Sequence, residues 1–307
     1  MKRMALLAVV ALFLAVGGAD AGQKAAKDIR IGISVQWLND TYIRLCTNAM
    51  EKRAKELGVQ LTILDGEGRP EKQVAQVENL IAQEYDVVGI NPSSMDGCAP
   101  AVDAATAAGV PIFTLIQITK NQDKANTYVG SDAIESGRIQ GEQIFAATGG
   151  KGRLALIMGP IGADAQIGRK KGLLEVLSKG DYEIVVEETG NWQRDQAQKL
   201  VENWLQANIK FDIVAGQNDN MAMGALKAVE DSGMADTIKV WGIDATRDAC
   251  RSVKAGRLMG TVFQNAVEQG NIAIETAIKL ANGEPVDKYN WVPYLPVDKS
   301  NVDEYIQ

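Results

Sequence analysis

"FDIVAGQNDNMAMGALKAVEDSG", residues 211–233, holds the unit from which the fold is read. An apolar run through Ile213, Val214 and Ala215 ends on Gln217 and Asn218, and a helical stretch follows that stops at Gly233. A strand apolar on both faces needs helices on both sides, which is the habit of parallel sheets. The order of strand, polar tip and helix recurs along the chain. Strands are expected at 30–35, 59–65, 86–92, 110–116, 127–132, 153–159, 182–189, 211–218, 238–244 and 258–264. Between them lie periodic segments such as "TYIRLCTNAMEKRAKELG" (41–58), with an apolar stripe and a glycine stop. Such alternation implies right-handed βαβ units and open, doubly wound α/β sheets. Ten strands in one sheet is unusual, so two sheets of five or six are expected. The break between them falls near "TYVGSDAIESGRIQGE" (127–142), with no low-complexity linker.

The chain has 307 residues, no histidine, three cysteines and a net charge of −7. That length exceeds one ordinary core and suggests two domains. The acidic balance disfavours nucleic acid, which needs a basic surface. Absence of histidine excludes a Ser-His-Asp triad, a Cys-His pair and histidine-ligated zinc. Cys46, Cys98 and Cys250 are an odd number with no CxxC spacing, compatible with three buried thiols or with one disulfide of unassigned pairing. At the amino terminus, Lys2 and Arg3 precede "MALLAVVALFLAV" (4–16) and "GGADAG" (17–22). This is the pattern of a cleavable secretory signal over 1–21, shorter than the ~20 apolar residues of a membrane span. A soluble periplasmic protein is expected, without a lipid anchor because no cysteine lies at the cut.

The strand tips carry the chemistry. Residues just past the apolar runs include Gln36 to Asp40, Asp65, Asn91, Gln117, Asn191 with Trp192, Asn218 with Asp219, Asp244 and Gln264. Ligands of open parallel sheets bind beyond the carboxyl ends of the strands. The same residue types also cap helices, so tip position alone does not separate the two roles. Amides, a few carboxylates and an aromatic plate, without a basic cluster, suit a neutral, hydroxyl-rich guest. "GPIGADAQIGRKKG" (159–172) lacks the spacing of a phosphate loop, and no GxGxxG follows the first strand. No metal-binding loop is recognised, and no cofactor is expected.

"GINPSSMDG" (89–97), "GQNDNMAMGALKAVEDSG" (216–233) and "VWGIDATRD" (240–248) make the chain resemble periplasmic sugar-binding proteins of the ribose-binding type, the substrate receptors of ABC importers. Repressors of the LacI type share this core but begin with a helix-turn-helix, where this chain has its secretory pattern. "NDTYIRLCTNAM" (39–50), "TGNWQRDQA" (189–197) and "WVPY" (291–294) bring it nearest to inositol-binding members. The resemblance implies two lobes, 28–130 plus 265–291 and 131–264 plus 292–307, joined by a three-segment hinge near 130, 264 and 292. It implies ligand contacts from Asp40 and Tyr42, from Asn91, from Arg169 as a fork on ring hydroxyls and from Trp192 as a stacking plate. Asn218, Asp244 and Gln264 complete the hydroxyl partners. Where the family carries a polar residue and then arginine, this chain has Ile116-Gln117, which removes a bidentate grip from the first lobe and opens space, leaving Gln117 as a contact and the identity of the ligand open. The implied partners are a small neutral sugar or polyol and an inner-membrane permease or a chemoreceptor. The alternative is a receptor for a furanosyl signal or a sensor kinase. A carbohydrate enzyme using Asp40 and Asp244 is the third class, and the missing histidines weigh against it. Tyr42, Arg169 and Trp192 also have plain readings, in the core, in a surface salt bridge and in packing. Trp204, Trp241 and Trp291 are expected mainly in the core.

Overall fold

The computed structural model describes residues 23–306. The secretory segment read at 1–21 lies outside them. Each of the ten expected strands is present, several with trimmed ends, because the flanking tip residues turn away from the ladder. The first lobe alternates β1 (Arg30–Val35), α1 (Thr41–Leu57), β2 (Gln60–Asp65), α2 (Pro70–Ala82), β3 (Val87–Ile90), α3 (Ala99–Ala108), β4 (Ile112–Leu115) and β5 (Thr127–Gly130). The second continues with α4 (Ala133–Thr148), β6 (Lys151–Met158), α5 (Asp164–Leu177), β7 (Asp181–Thr189), α6 (Arg194–Gln206), β8 (Ile213–Gly216), α7 (Asp219–Asp231), β9 (Lys239–Trp241), α8 (Arg247–Lys254) and β10 (Thr261–Gln264). The chain then returns through α9 (Ala266–Ala281), β11 (Tyr289–Trp291) and β12 (Tyr294–Val297).

The first sheet is wholly parallel, in the order β11-β5-β4-β3-β1-β2. The second runs β7-β6-β8-β9 and is extended by parallel bridges from Trp241 to Gly260 and from Asp244 to Phe263, which bring β10 alongside with β12 antiparallel to it. Both lobes therefore repeat one winding, with the strand order reversing between β1 and β3 and again between β6 and β8. Reversal points of this kind open crevices at the carboxyl ends of the strands. The chain passes between the sheets three times, after β5, after β10 and between β11 and β12.

Two apolar layers sandwich each sheet. In the first lobe, Ile43, Cys46 and Met50 of α1 pack with Ala273, Ile274 and Ala277 of α9 on one face, and Val77, Leu80 and Val102 of α2 and α3 cover the other. In the second, Ile144, Leu173 and Leu177 of α4 and α5 lie opposite Val201, Met221 and Val253 of α6, α7 and α8. The helices α4 and α5 approach closely through small residues: a methyl on Gly168 would meet Ala133 Cβ at 2.6 Å. Cys46, Cys98 and Cys250 are all buried free thiols, so no disulfide joins them. Trp204 and Trp241 are buried, as expected. Trp291 is not: it is 55% exposed and lies flat against Tyr289, with ring centroids 5.3 Å apart. It sits on β11, the outer strand of the first sheet.

Candidate functional site

A cavity of about 30 Å³ lies between the lobes and takes residues from both. The first lobe contributes Gln36, Asp40, Tyr42, Ile43, Ile116 and Gln117, and the second contributes Ala165, Arg169, Trp192, Asn218, Asp244 and Gln264. Eight of the nine sequence-derived candidates thus meet at one place, and Asn91 does not.

Arg169 is the central cation of the site. It is 5% exposed, which rules out the surface reading. Its Nη2 donates to Gln264 Oε1 at 3.0 Å and to the Tyr294 hydroxyl at 3.4 Å, and lies 3.5 Å from Asp244 Oδ1, while Nη1 donates to the carbonyl of Gln217. Burial pushes the Asp244 carboxyl well above the ordinary carboxylate range, Arg169 opposes the rise, and Asp219 and Asp40 add to it. Asp40 is likewise raised by burial, against hydrogen bonds from the Ile43 and Tyr42 amides. Three donors of lining residues, Arg169 Nε, Trp192 Nε1 and Gln264 Nε2, have no acceptor among the described residues. Buried donors of this sort are costly unless satisfied, so the wall is built to give hydrogen bonds.

Trp192 stands on a turn in which Asn191 (φ 51°) and Trp192 itself (φ 62°) are both left-handed. Only 4% of it is exposed, and its ring lies 5.6 Å from the Arg169 guanidinium carbon, within cation–π reach. The ring edge rests on Gly159, where an added Cβ would be 2.5 Å from Trp192 Cε2. Ile116 (φ 65°) and Asp244 (φ 127°) are also outside the ordinary backbone regions. Strain at three cavity positions is characteristic of functional sites, where the surroundings over-determine the conformation.

The capping and lining roles coincide in two residues. Asp40 caps α1, accepting from Ile43 N at 3.0 Å, and Asn218 caps α7, accepting from Met221 N at 2.9 Å. Tyr42 is both core and wall: its hydroxyl donates to Gln269 Oε1 at 2.8 Å while its ring borders the cavity. Asn91 is the correction. Its Oδ1 accepts from Gln36 N at 3.2 Å and its Nδ2 donates to Leu115 O at 3.1 Å, so it ties the ends of β1 and β4 together across β3. A residue just past a central strand can turn sideways into its neighbours' unpaired backbone, and Asn91 does so. The neighbour it positions, Gln36, is the lining residue that the sequence reading left as an undifferentiated tip. Gln36 accepts from Gln117 Nε2 at 3.1 Å.

The lobes touch directly around the cavity. Gln117 Oε1 accepts from Ala165 N at 3.3 Å, Met95 N donates to Gly162 O at 3.0 Å, and Asn220 donates to Asp40 Oδ2 at 3.0 Å and accepts from Thr41 Oγ1 at 3.1 Å. This is a closed arrangement. Among the described residues no cluster of cysteines and acids could hold a metal ion, and no helix is long and apolar enough to cross a membrane.

The pattern of the periplasmic binding protein domain matches residues 31–285. A putative rhizopine-binding protein of Rhizobium meliloti is 38% identical over 290 residues, covering 92% of this chain and 94% of that one. The ribose import binding protein of Bacillus subtilis is 33% identical over 262 residues, 85% of each chain. Among solved structures, an ABC transporter solute-binding protein of Bacillus halodurans with bound myo-inositol superposes with a TM-score of 0.89 at 33% identity, covering 93% of this chain and 99% of the other.

Proposed function

The chain belongs to the periplasmic binding protein family, and we propose that it is the substrate receptor of an ABC importer, closing two lobes on a sugar or cyclic polyol. The observation that carries this reading is the composition of the inter-lobe wall: one indole face, one guanidinium, two carboxylates and several amides drawn from both halves of the chain. A cyclic polyol presents apolar C–H faces to a ring such as Trp192 and a belt of hydroxyls, each of which needs a donor and an acceptor once dehydrated. Arg169 supplies a rigid fork of donors and Asp244 accepts. Asp40, Tyr42, Gln117, Asn218 and Gln264 complete the ring of contacts. Relatives named for rhizopine and ribose, and a neighbour holding myo-inositol, fit this class.

In this reading the lobes comprise 28–130 plus 265–291 and 131–264 plus 292–307, and they hinge at the three crossings. A ligand that touches both lobes only when they are shut shifts the population toward the closed form. A decisive shift takes on the order of 5 kcal/mol of differential affinity, within reach of several hydrogen bonds at about 1 kcal/mol each plus stacking. The closed form, in the periplasm after removal of the leader, is what an inner-membrane permease engages. A thermal-shift screen over pentoses, hexoses, inositols and linear polyols, followed by calorimetry on the hits, tests it. Stabilisation by at least one member, lost in Trp192→Ala, is the expected result, and a flat screen across all four groups rejects the reading.

A further inference from the structure

We propose that Asp219 is a positioning residue, which never meets the ligand but locks the strained turn that delivers Asp244 to the cavity. Asp244 and Ala245 are consecutive non-glycine residues with φ of 127° and 53°. Nothing in their own side chains favours that backbone, so something outside the turn must hold it. Asp219, the first residue of α7 and fully buried, is placed to do so. Its Oδ2 accepts from Thr246 N at 2.7 Å and from Thr246 Oγ1 at 3.1 Å, and its Oδ1 accepts from Thr261 Oγ1 at 2.7 Å. Its own amide donates to Ile243 O at 2.7 Å. Thr261 Oγ1 in turn accepts from Ala245 N at 3.1 Å. The segment 243–246 is therefore pinned on both sides of Asp244, and the clamp needs a carboxylate, since every group around it is a donor. Gly242 leaves the room, because a Cβ there would collide with Asp219 Oδ1.

The neighbours in sequence show how one helix start serves three tasks. Asn218 borders the cavity, Asp219 turns into the second lobe, and Asn220 reaches across to Asp40 and Thr41 of the first lobe. The link to ligand binding rests on the proposed polyol site, whereas the clamp itself does not.

The test separates the two. Hydrogen exchange of ligand-free protein is followed at the Ala245 and Thr246 amides in wild type, Asp219→Asn and Thr261→Val. The carboxamide of Asp219→Asn turns a donor toward a donor, and Thr261→Val removes one bridge at nearly constant volume. Exchange at both amides at least tenfold faster, with the β6 and β8 amides unchanged, is expected; unchanged Ala245 and Thr246 overturn the proposal. Calorimetry with myo-inositol and ribose then reads affinity, expected to fall at least tenfold in both variants. Adding Ala245→Gly, which accepts the left-handed backbone freely, should recover a substantial part of the loss in Thr261→Val. A variant weakened only by general destabilisation gains nothing from that glycine, and absence of rescue also counts against the clamp. If the amides loosen as expected while wild type binds no polyol probe, the clamp stands and the proposed function fails.

Discussion

Gly159 offers the sharpest test of the indole wall, because a single methyl placed outside the cavity should damage it. In Gly159→Ala the new Cβ would lie 2.5 Å from Trp192 Cε2, and nearer still to Cζ2 and Cη2, short of the 3.4 Å at which ordinary contact begins by about 0.9 Å. The backbone at Gly159 is held by a hydrogen bond to Gln217 Oε1 at 2.9 Å, so the indole must yield. The cavity that it borders measures only about 30 Å³, so an indole pushed that way fills the space proposed for the ligand. Overpacking of this size costs about 1–3 kcal/mol, and tenfold in affinity is about 1.4 kcal/mol. We expect calorimetry with the best probe of the screen to show binding weaker by roughly ten- to a hundredfold. The partner substitution makes the reasoning specific. Trp192→Phe removes the outer ring carbons that the methyl strikes, so on that background Gly159→Ala should change affinity little, giving a large coupling in the double-mutant cycle. An affinity within twofold of wild type for Gly159→Ala, or an equal loss on both backgrounds, would refute the account of Trp192 as a ligand-facing plate backed by Gly159.

Three further outcomes follow from the same geometry. Arg169→Lys keeps the charge but loses the fork that reaches Gln264, Tyr294 and the Gln217 carbonyl; binding should weaken at least tenfold by calorimetry, and wild-type affinity would remove Arg169 from the ligand shell. The three thiols are buried, and burial pushes those of Cys46 and Cys250 up to about 12; a thiol reagent in mildly alkaline buffer should label none in the folded protein and all three in guanidinium, with thermal stability indifferent to reductant. Burial raises the Asp164 carboxyl from 3.8 to about 6, with Asp132 adding to the rise. Because the folded state holds this proton more tightly than the unfolded chain, its stabilising share is complete below 3.8 and disappears as pH climbs through 6. Lowering the pH from about 7 to about 5 should therefore help wild type more than Asp164→Asn by about 1 kcal/mol in urea unfolding, and equal pH responses would contradict the raised carboxyl.

Much of the fold could be read before any coordinates because strand, tip and helix signals coincide in nearly every unit. The ten expected strands are the ten that carry continuous apolar runs. The two that escaped, β11 and β12, are three and four residues long; β11 has no buried position, and β12 mixes buried with exposed ones and includes Pro296, so neither carries a periodic apolar signature. Their pairing is set by the neighbouring sheets rather than by local preference. At the site, tip position found six of the eight lining candidates, because the carboxyl ends of parallel strands converge by topology, whereas Tyr42 and Arg169 lie within helices and came from the family resemblance. What it could not supply was direction. Asn91 and Gln36 follow adjacent strands with the same chemistry, and only the backbone hydrogen bonds left open by β4 decide that one braces and the other faces the cavity. The exposure of Trp291 was hidden for a similar reason, since an aromatic at the outer strand of a sheet reads like one at its centre.

The threefold passage of the chain between the sheets has a consequence for how the molecule is made. The first lobe borrows α9 and β11 from the far end of the sequence, so the apolar stripe of α1 waits roughly 200 residues for its cover. The second lobe, nearly continuous in sequence, can assemble while its neighbour is still half built. Vectorial synthesis thus leaves the amino-terminal half dependent on the last segment to emerge, and a chain truncated before residue 266 should expose α1 to aggregation rather than yield one finished lobe.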